Sequence, residues 1–293
     1  MAGELMIRVK DLGIRRVFDE YPPRLLTGYG VVRVNPRAWR QLRRWVGGDV
    51  IANHAKARPD LLAWLRPWGG MWLYRVATDA YVDYPPSRVI EAVRRLLPNA
   101  EPVKLGSLFG KPEYVEYGAK YAESVLGYEA SDGVVKGIWV RAGDDGYTAI
   151  RIRPFLGFKR EISAVILPNR VSRRLHVERE SRIEERLRVD IDASVATLRA
   201  FDISELVKYS IPFTVVNNIA RRVRSFTHHW RVARALIGSD NAYALAIALG
   251  RALVSSSGES RERIARLLEQ LTSDPMRFVR AYSEASSVPT QED

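Results

Sequence analysis

The clearest pattern of apolar and polar positions in the chain lies between residues 134 and 167. Apolar and polar residues alternate on both sides of an Asp-Asp-Gly triplet at 144–146, which predicts a β-hairpin. A three-residue loop with its glycine in the left-handed region pairs Gly143 with Tyr147 and keeps the apolar residues on one face. A two-residue loop would mix the two faces. The residues predicted to point inward are Ile138, Val140, Ile150 and Ile152.

The other face of this hairpin carries aromatic rings among guanidinium groups, and we predict that it is exposed. Rings stack on nucleobases and arginines follow phosphates, so the pattern indicates a single-strand binding face. Two alternatives use the same residues: a cross-strand cation–π pair on an ordinary surface, or burial beneath a neighbouring helix. The residues of the predicted binding face are Trp139, Arg141, Tyr147, Arg151 and Arg153.

Helical and strand periodicity places further elements before the hairpin. Asn35-Pro36 is typical of a helix start, with Asn as the cap and Pro at the first helical position. The arginines of that helix are predicted to be solvated, with a nucleic-acid helix as the alternative. Residues 100–130 receive no firm assignment beyond short strands at 103–105 and 114–117. The elements predicted before residue 100 are helices Pro36–Val46, Pro59–Leu65 and Ser87–Leu97, and strand Met71–Thr78.

The chain after the hairpin is predicted to become helical. Three strands, Val134–Arg141, Tyr147–Arg153 and Phe158–Leu167, precede a charged helical region, Arg170–Arg199, with opposite charges three and four residues apart. A long helix, Pro212–Ile237, has an apolar stripe and an opposite basic face without acidic residues. Two basic clusters are predicted to face phosphates: Arg170, Arg173 and Arg174 before the charged helix, and Arg221, Arg224 and Arg231 on the long helix.

These elements predict an α+β fold. Its sheet, mixed or antiparallel, is built on a β-β-β-α core with flanking helices, and an all-helical C-terminal lobe follows. The predicted division is an α+β domain over residues 1–200 with the hairpin at 134–167, a helical lobe over 201–285 and a polar tail over 286–293.

Composition narrows the classes of function. The formal net charge of +12 and the pI of about 10.0 suit a polyanionic partner. The lack of cysteine excludes disulfides, thiolate metal sites and cysteine nucleophiles. The excess of arginine over lysine fits phosphate recognition and a thermophilic or GC-rich source equally well. With no apolar run of membrane-spanning length and no signal peptide, we expect a cytoplasmic protein without a membrane partner.

Enzymatic motifs are missing. No phosphate loop, dinucleotide fingerprint, zinc-protease helix or serine elbow occurs in the sequence. A metal-dependent nuclease is an alternative based on Asp144, Asp145, Lys159 and Glu161, although the loop already explains both aspartates. His228 and His229 point about 100° apart on a helix and are not expected to share an ion. His54 and His176 have no partner readable from spacing. We predict no catalytic residue, cofactor or metal.

Three short motifs resemble those of a known family. Thr78-Asp79-Ala80-Tyr81 before a helix, Asp144-Asp145-Gly146 at the turn, and Pro168-Asn169-Arg170 with His176 after the strands resemble the phage/plasmid-like protein family of unknown function (domain of unknown function 932). The Asn-Ser before the turn and the cysteine of that family are missing here. The resemblance covers residues 70–200 and implies a viral or plasmid setting, not a reaction.

The order strand–strand–strand–helix is also similar to the core of single-strand annealing proteins, which hold DNA in a basic groove. This likeness implies strand annealing or recombination. We therefore predict sequence-tolerant nucleic-acid binding, with single-stranded DNA favoured, by a protein that forms homo-oligomers. The alternative is a self-assembling structural or partition protein of a mobile element.

Overall fold

The structure, a computed structural model of the chain, describes residues 5–8, 24–27, 30–46, 61–78, 81, 84–108, 110–131, 133–169 and 180–284. Two sheets and a set of C-terminal helices make up these ranges, and the predicted α+β class is confirmed. The strands are β1 Leu5–Arg8, β2 Arg24–Thr27, β3 Gly30–Val34, β4 Leu61–Pro67, β5 Met71–Thr78, β6 Glu101–Pro102, β7 Lys111–Glu116, β8 Ala119–Ser131, β9 Val134–Gly143, β10 Arg151–Phe158 and β11 Ser163–Ile166.

Two helices precede the second sheet in the described part of the chain, and the others follow it. None of the helices within the described ranges is long and apolar enough to cross a membrane. The helices are α1 Pro36–Val46, α2 Pro86–Leu96, α3 Glu180–Ala200, α4 Phe213–Ala220, α5 Phe226–Ile237, α6 Ala242–Ser255, α7 Gly258–Ser273 and α8 Pro275–Glu284, with a 3-10 helix over Ile203–Lys208.

The first sheet has the strand order β1-β4-β5-β3-β2, with β3 and β5 parallel and the other pairs antiparallel. Helix α1 follows β3 and packs against β5. As predicted, it begins after Asn35, whose Oδ1 accepts the backbone N–H of Arg37 at 2.9 Å. Ala38 and Leu42, four residues apart, are fully buried in the core between α1 and this sheet.

The second sheet is antiparallel throughout, with the order β11-β10-β9-β8-β6 and with β7 paired to β8. Successive side chains of a strand point to opposite faces of the sheet, so neighbouring residues of β9 contact different layers of the protein. Arg141 of β9 contacts Glu262 of α7, while α2 and α3 pack against β8, β9 and β10. The sheet is therefore a buried middle layer between two layers of helices.

One hydrophobic core joins this sheet to the C-terminal helices. The buried cluster runs from Tyr84 on the chain before α2 to Phe278 on α8 without interruption. The segment after Ile203 is helical, as predicted. The predicted domain boundary at residue 200 thus coincides with the end of α3 but not with a break in the core.

The connection between β9 and β10 is longer than predicted. Arg151 pairs with Arg141 and Arg153 with Trp139, so the register is displaced by two residues and the connection spans residues 144–150. A displacement by two preserves the facing direction of each side chain. For this reason the predicted inward set, Ile138, Val140, Ile150 and Ile152, is buried as expected although the predicted loop length and register are wrong. Gly146 adopts the predicted left-handed conformation, with φ of 74°.

The predicted strand Phe158–Leu167 is divided in the structure, because β10 ends at Phe158, residues 159–162 form a turn and β11 begins at Ser163. Three further element predictions differ from the structure. Residues 61–67 form strand β4 and not a helix, because their apolar run is buried between α1 and the second sheet. The long strand β8 was missed in the unassigned segment 100–130. The predicted helix Pro212–Ile237 is broken at residues 221–225, where Ser225 adopts a left-handed conformation with φ of 61°.

Gly137 in β9 lies where any side chain would collide with the core. A Cβ at this position would meet the carbonyl oxygen of Leu126 at 2.4 Å and the ring of Phe155 at 2.6 Å. We expect Gly137→Ala to lower the free energy of unfolding by about 1–3 kcal/mol, because both neighbours belong to the sheet interior. Val189→Ala, at a half-exposed position on α3, is the control and should change it by less than about 0.5 kcal/mol. Denaturant unfolding measures both, and equal effects would contradict the close packing at Gly137.

Candidate nucleic-acid interface

The predicted binding face of the hairpin is covered by α7. Trp139 is only 1% exposed, and its Nε1 donates to Glu123 Oε1 at 2.6 Å. The guanidinium of Arg153 lies 5.1 Å from the Trp139 ring centroid. The prediction that Trp139 is an exposed stacking ring is therefore wrong, and burial beneath a helix, one of the two alternatives, is what the structure has.

The three arginines of that face converge on one carboxylate of α7. Glu262 Oε1 accepts from Arg141 Nη1 at 3.1 Å and from Arg153 Nη1 at 3.0 Å, and Glu262 Oε2 accepts from Arg151. Glu269 adds a second acceptor, 2.7 Å from Arg153 Nε. Arg141 and Arg153 are buried and Arg151 keeps about a third of its side chain exposed. The prediction that all three lie open to phosphates is therefore wrong for Arg141 and Arg153.

The geometry of α7 explains this cluster. Glu262 and Glu269 are seven residues, or two turns, apart and therefore lie on the same side of the helix. Ile264 and Leu268 are fully buried and hold α7 in the core. Burial alone would raise the pKa of Glu262, but attraction to its three arginines outweighs burial and lowers the pKa to about 2. The carboxylate is therefore ionised at neutral pH.

The connection between β9 and β10 is a buried joint between the two sheets. Asp145 is completely buried and accepts from Arg37 Nη1 of α1 at 3.2 Å and from Tyr121 Oη of β8 at 3.1 Å. Its other oxygen, Oδ1, accepts the backbone N–H groups of Tyr147 and Thr148 at 3.0 and 2.6 Å. One carboxylate thus fixes the connection, the second sheet and α1 to one another.

Asp144 makes an equivalent link to β4. Its Oδ2 lies 3.0 Å from Arg66 Nη2, and its Oδ1 accepts the backbone N–H of Lys120 at 2.7 Å. Burial raises the pKa of Asp144 to about 6, and these two donors oppose a larger rise. Arg75 of β5 donates to the backbone oxygen of Asp144 at 3.2 Å and stands over the ring of Trp64 at 4.2 Å. Both aspartates lie in the connection, as predicted, but the turn alone does not explain them, because both are buried and paired with arginines.

An open cleft of about 420 Å³ lies beside this joint. Its walls come from α1, the 144–150 connection and α7. Six arginines and two glutamates contribute to the lining, and Tyr147 is the aromatic residue there. The cleft-lining residues are Arg37, Arg40, Arg141, Tyr147, Thr148, Arg151, Glu259, Glu262, Arg263 and Arg266. The structure thus brings the predicted Arg141, Tyr147 and Arg151 together with arginines that the sequence analysis had not selected.

The arginines at the mouth of the cleft differ from those at its floor. Arg40, Arg263 and Arg266 are exposed, and none of them forms an ion pair with another part of the chain that the structure describes. Burial lowers the pKa of Arg151, repulsion from Arg153 and Arg266 lowers it further, and Glu262 opposes both. Guanidinium groups are therefore held close enough to repel one another, an arrangement that an anion would relieve.

The predicted basic cluster of the C-terminal helices remains accessible. Arg221, Arg224 and Arg231 are exposed, the first two in the break between α4 and α5 and the third on α5. The break is joined to the cleft, because Nη1 of Arg263 donates to the backbone oxygen of Arg222 at 3.3 Å. We call the exposed arginines Arg40, Arg266, Arg263, Arg221 and Arg224 the basic track.

Some predicted residues lie outside the described residues. Arg170, Arg173 and Arg174, together with His54 and His176, belong to this group. Among the described residues, no three His, Asp or Glu side chains are grouped as a metal ion would require. Asp144 and Asp145 are engaged by Arg66 and Arg37 instead of facing Lys159 and Glu161.

The histidine pair also lacks a chelating arrangement. The rings of His228 and His229 are 5.5 Å apart and nearly perpendicular. His229 Nε2 lies 3.3 Å from Ser255 Oγ. Burial lowers the pKa of His229, and repulsion from Arg251 and His228 contributes in the same direction.

Sequence reasoning missed Arg40, Arg263 and Arg266 as site residues. The sequence predicts solvated arginines on α1 and assigns no site role to those of α7. A usable signal existed in α7, where Arg263 and Arg266 are three residues apart and therefore adjacent on the helix surface. Their position opposite α1 depends on the tertiary fold and could not be read from spacing.

Comparisons of the chain with protein-family models, curated proteins and solved structures gave no match. The resemblance to the phage/plasmid-like family and the likeness to single-strand annealing proteins therefore stay predictions.

Replacement of Asp145 by asparagine tests the joint. Both carboxylate oxygens of Asp145 accept hydrogen bonds, whereas an amide has a single acceptor oxygen. The NH₂ group of an asparagine would therefore face either the side-chain donors or the backbone N–H groups. We expect Asp145→Asn to lower the free energy of unfolding by about 3 kcal/mol. The control is Asp240→Asn, at an exposed carboxylate 2.7 Å from Arg234, which should cost less than about 1 kcal/mol. Chemical denaturation compares them, and a neutral Asp145→Asn variant would contradict a structural role for this carboxylate.

The depressed pKa of Glu262 predicts a stability difference that depends on pH. Because the folded pKa lies below the unfolded value of 4.5, the stabilisation is complete at neutral pH and is lost as pH falls from about 4.5 toward 2. The shift corresponds to about 3 kcal/mol. The difference in unfolding free energy between wild type and Glu262→Gln should therefore be constant from pH 6 to 8 and narrow below pH 4.5.

A second glutamate provides the control for this experiment. Glu184 on α3 forms an exposed pair with Arg95 at 2.8 Å. Glu184→Gln should produce a small difference from wild type at each pH, because solvent screens an exposed pair. If the difference in unfolding free energy between wild type and Glu262→Gln stayed constant down to pH 3, the attraction between the Glu262 charge and its three arginines would not stabilise the folded state.

Proposed function

We propose that this protein binds nucleic acid, with single strands preferred and little dependence on sequence. The supporting observation is the basic track, which runs from the arginine-lined cleft along α7 to the break between α4 and α5. Arg263 lines the cleft and also bonds to the backbone of Arg222, so the two basic regions adjoin. Exposed guanidinium groups in a row fit the regularly spaced phosphates of a strand.

This assignment differs from the one based on the hairpin. Trp139 and Arg153 are buried, while Arg151 and the α4–α5 arginines keep their predicted role at phosphates and Tyr147 keeps its predicted role of stacking on a base. Charge reversal at Arg151 and Arg153 would place carboxylates beside Glu262 and destabilise the core. Such a variant would therefore not report on binding, and exposed arginines must be used.

The setting proposed for this activity is strand annealing or recombination for a virus or plasmid. It rests on the family resemblance of residues 70–200 and on the order of strands and helix described above. Homo-oligomer formation belongs to the same proposal, because annealing requires two strands to be held together.

Reversal of two track residues tests the proposal. Arg40 and Arg266 lie on opposite walls of the cleft and make no ion pair within the described residues. Arg40→Glu combined with Arg266→Glu should weaken binding of a labelled single-stranded oligonucleotide at least about tenfold. It should also reduce the slope of log K against log salt by roughly 1.4, or 0.7 for each lost phosphate contact. Fluorescence anisotropy at several salt concentrations measures both quantities.

The control variant changes net charge by the same amount elsewhere. Arg94 on α2 and Arg199 on α3 are exposed and belong to the helices on the other face of the second sheet. Arg94→Glu combined with Arg199→Glu should leave affinity within about threefold, since charges beyond a Debye length are screened. Equal losses of affinity in the two variants would show that binding depends only on net charge. No binding by the wild-type protein would refute the proposed function.

Self-assembly is the second candidate, and exposed apolar side chains favour it. Large apolar residues on the C-terminal helical segment remain more than half exposed: Val207, Phe213, Leu236 and Met276. An apolar contact between copies responds weakly to salt, whereas strand binding weakens steeply. Oligomer mass measured at low and high salt therefore separates the two candidates.

A further inference from the structure

The cleft is a concave site, unlike the open part of the basic track. Its volume of about 420 Å³ lies within the range of small-molecule sites, so the open cleft has room for a nucleotide and not only for a single phosphate. Three chain segments form its walls, and α1 and α7 face each other across it. A strand lying along a flat surface would not require such a recess.

The charge of the cleft exceeds what its own acidic residues balance. Glu262 is held by Arg141, Arg151 and Arg153, so its charge is already neutralised at the floor. Glu259 is mostly exposed and lies 3.6 Å from Arg37, which also pairs with Asp145.

Three guanidinium groups at the mouth have no carboxylate partner among the residues that the structure describes and can bind an anion, although one N–H of Arg263 is donated to the backbone of Arg222. They belong to Arg40, Arg263 and Arg266, which come from two different helices. Planar guanidinium groups bind phosphate oxygens in pairs, so several of them can surround one phosphate that offers three free oxygens.

The walls are fixed before any ligand binds. Arg37 donates to Thr148 Oγ1 at 3.0 Å and to Asp145, and the Tyr147 hydroxyl donates to the backbone oxygen of Arg37. The floor arginines are fixed by Glu262. A preformed site loses less conformational entropy on binding than a flexible one.

We propose that the cleft receives the terminal phosphomonoester of a nucleotide, an inference that rests on the nucleic-acid function proposed above. A terminal phosphate carries about −1.5 to −2 charges at pH 7 and three acceptor oxygens, whereas an internal diester carries a single charge. The dianion matches the excess of guanidinium groups at the mouth. Tyr147 supplies the aromatic part of the lining next to it. Two sources offer this group: the end of a strand and a free mononucleotide.

The experiment compares oligonucleotides of one sequence that differ only at their ends. Anisotropy with the full-length protein measures strands that carry a 5′ phosphate, a 3′ phosphate or hydroxyl groups at both ends. We expect a phosphate at one of the two ends, 5′ or 3′, to tighten binding about tenfold relative to the strand with hydroxyl groups at both ends. Competition by a mononucleotide, with its nucleoside as reference, tests the free ligand as the source.

Three variants separate the cleft from the rest of the track. Arg266→Gln should abolish the preference for the phosphorylated end. Arg221→Gln combined with Arg224→Gln should weaken all strands equally and leave the preference intact. Glu259→Gln should increase the preference, because it removes the exposed negative charge beside Arg37.

The outcomes distinguish this inference from the proposed function. Strands that bind equally well with and without terminal phosphate, while track variants still weaken them, would overturn the inference and leave the function standing. Mononucleotide binding that Arg266→Gln abolishes, without binding of any strand, would refute the function and support the cleft as a nucleotide site. A preference that persists in Arg266→Gln would overturn the inference.

Discussion

The structure depends on two adjacent buried carboxylates, Asp144 and Asp145, placed between the two sheets. A buried carboxylate is costly unless cations and N–H groups surround it, and here Arg66, Arg37 and backbone amides do so. Because the arginines come from the first sheet and α1 while the aspartates follow β9, the requirement for pairing fixes how the two parts of the chain meet. The cleft exists because this joint holds α1 opposite α7.

Much of the local structure could be predicted from the sequence, since it depends on short-range rules. The start of α1 at Pro36 and the strand Met71–Thr78 have the predicted bounds, and the inward side of the hairpin is buried as expected. The predicted register was wrong because only loops of two and three residues were compared, whereas the connection spans residues 144–150. The aspartates were instead used for tertiary ion pairs, which lengthened the connection to residue 150.

The candidate site was harder to predict, because its chemistry is decided by distant partners. An arginine on a strand can be a solvated cation or half of a buried pair, and only its surroundings tell which. Glu262 lies more than one hundred residues from Arg141 and Arg153 in the chain, so spacing could not reveal that it neutralises both. The exposure of Arg221, Arg224 and Arg231 was easier to predict, because a run of basic residues with no acid nearby is a local property, and it survives although the predicted helix is broken at Arg221 and Arg224.

The walls of the cleft belong to segments that adjoin only after folding, from α1 through the 144–150 connection to α7. Any molecule that bridges these walls contacts the native arrangement and not the unfolded chain. By mass action, its occupancy would shift the folding equilibrium toward the native state in proportion to the logarithm of its concentration. Ligand binding in the cleft would then also increase the stability of the folded protein.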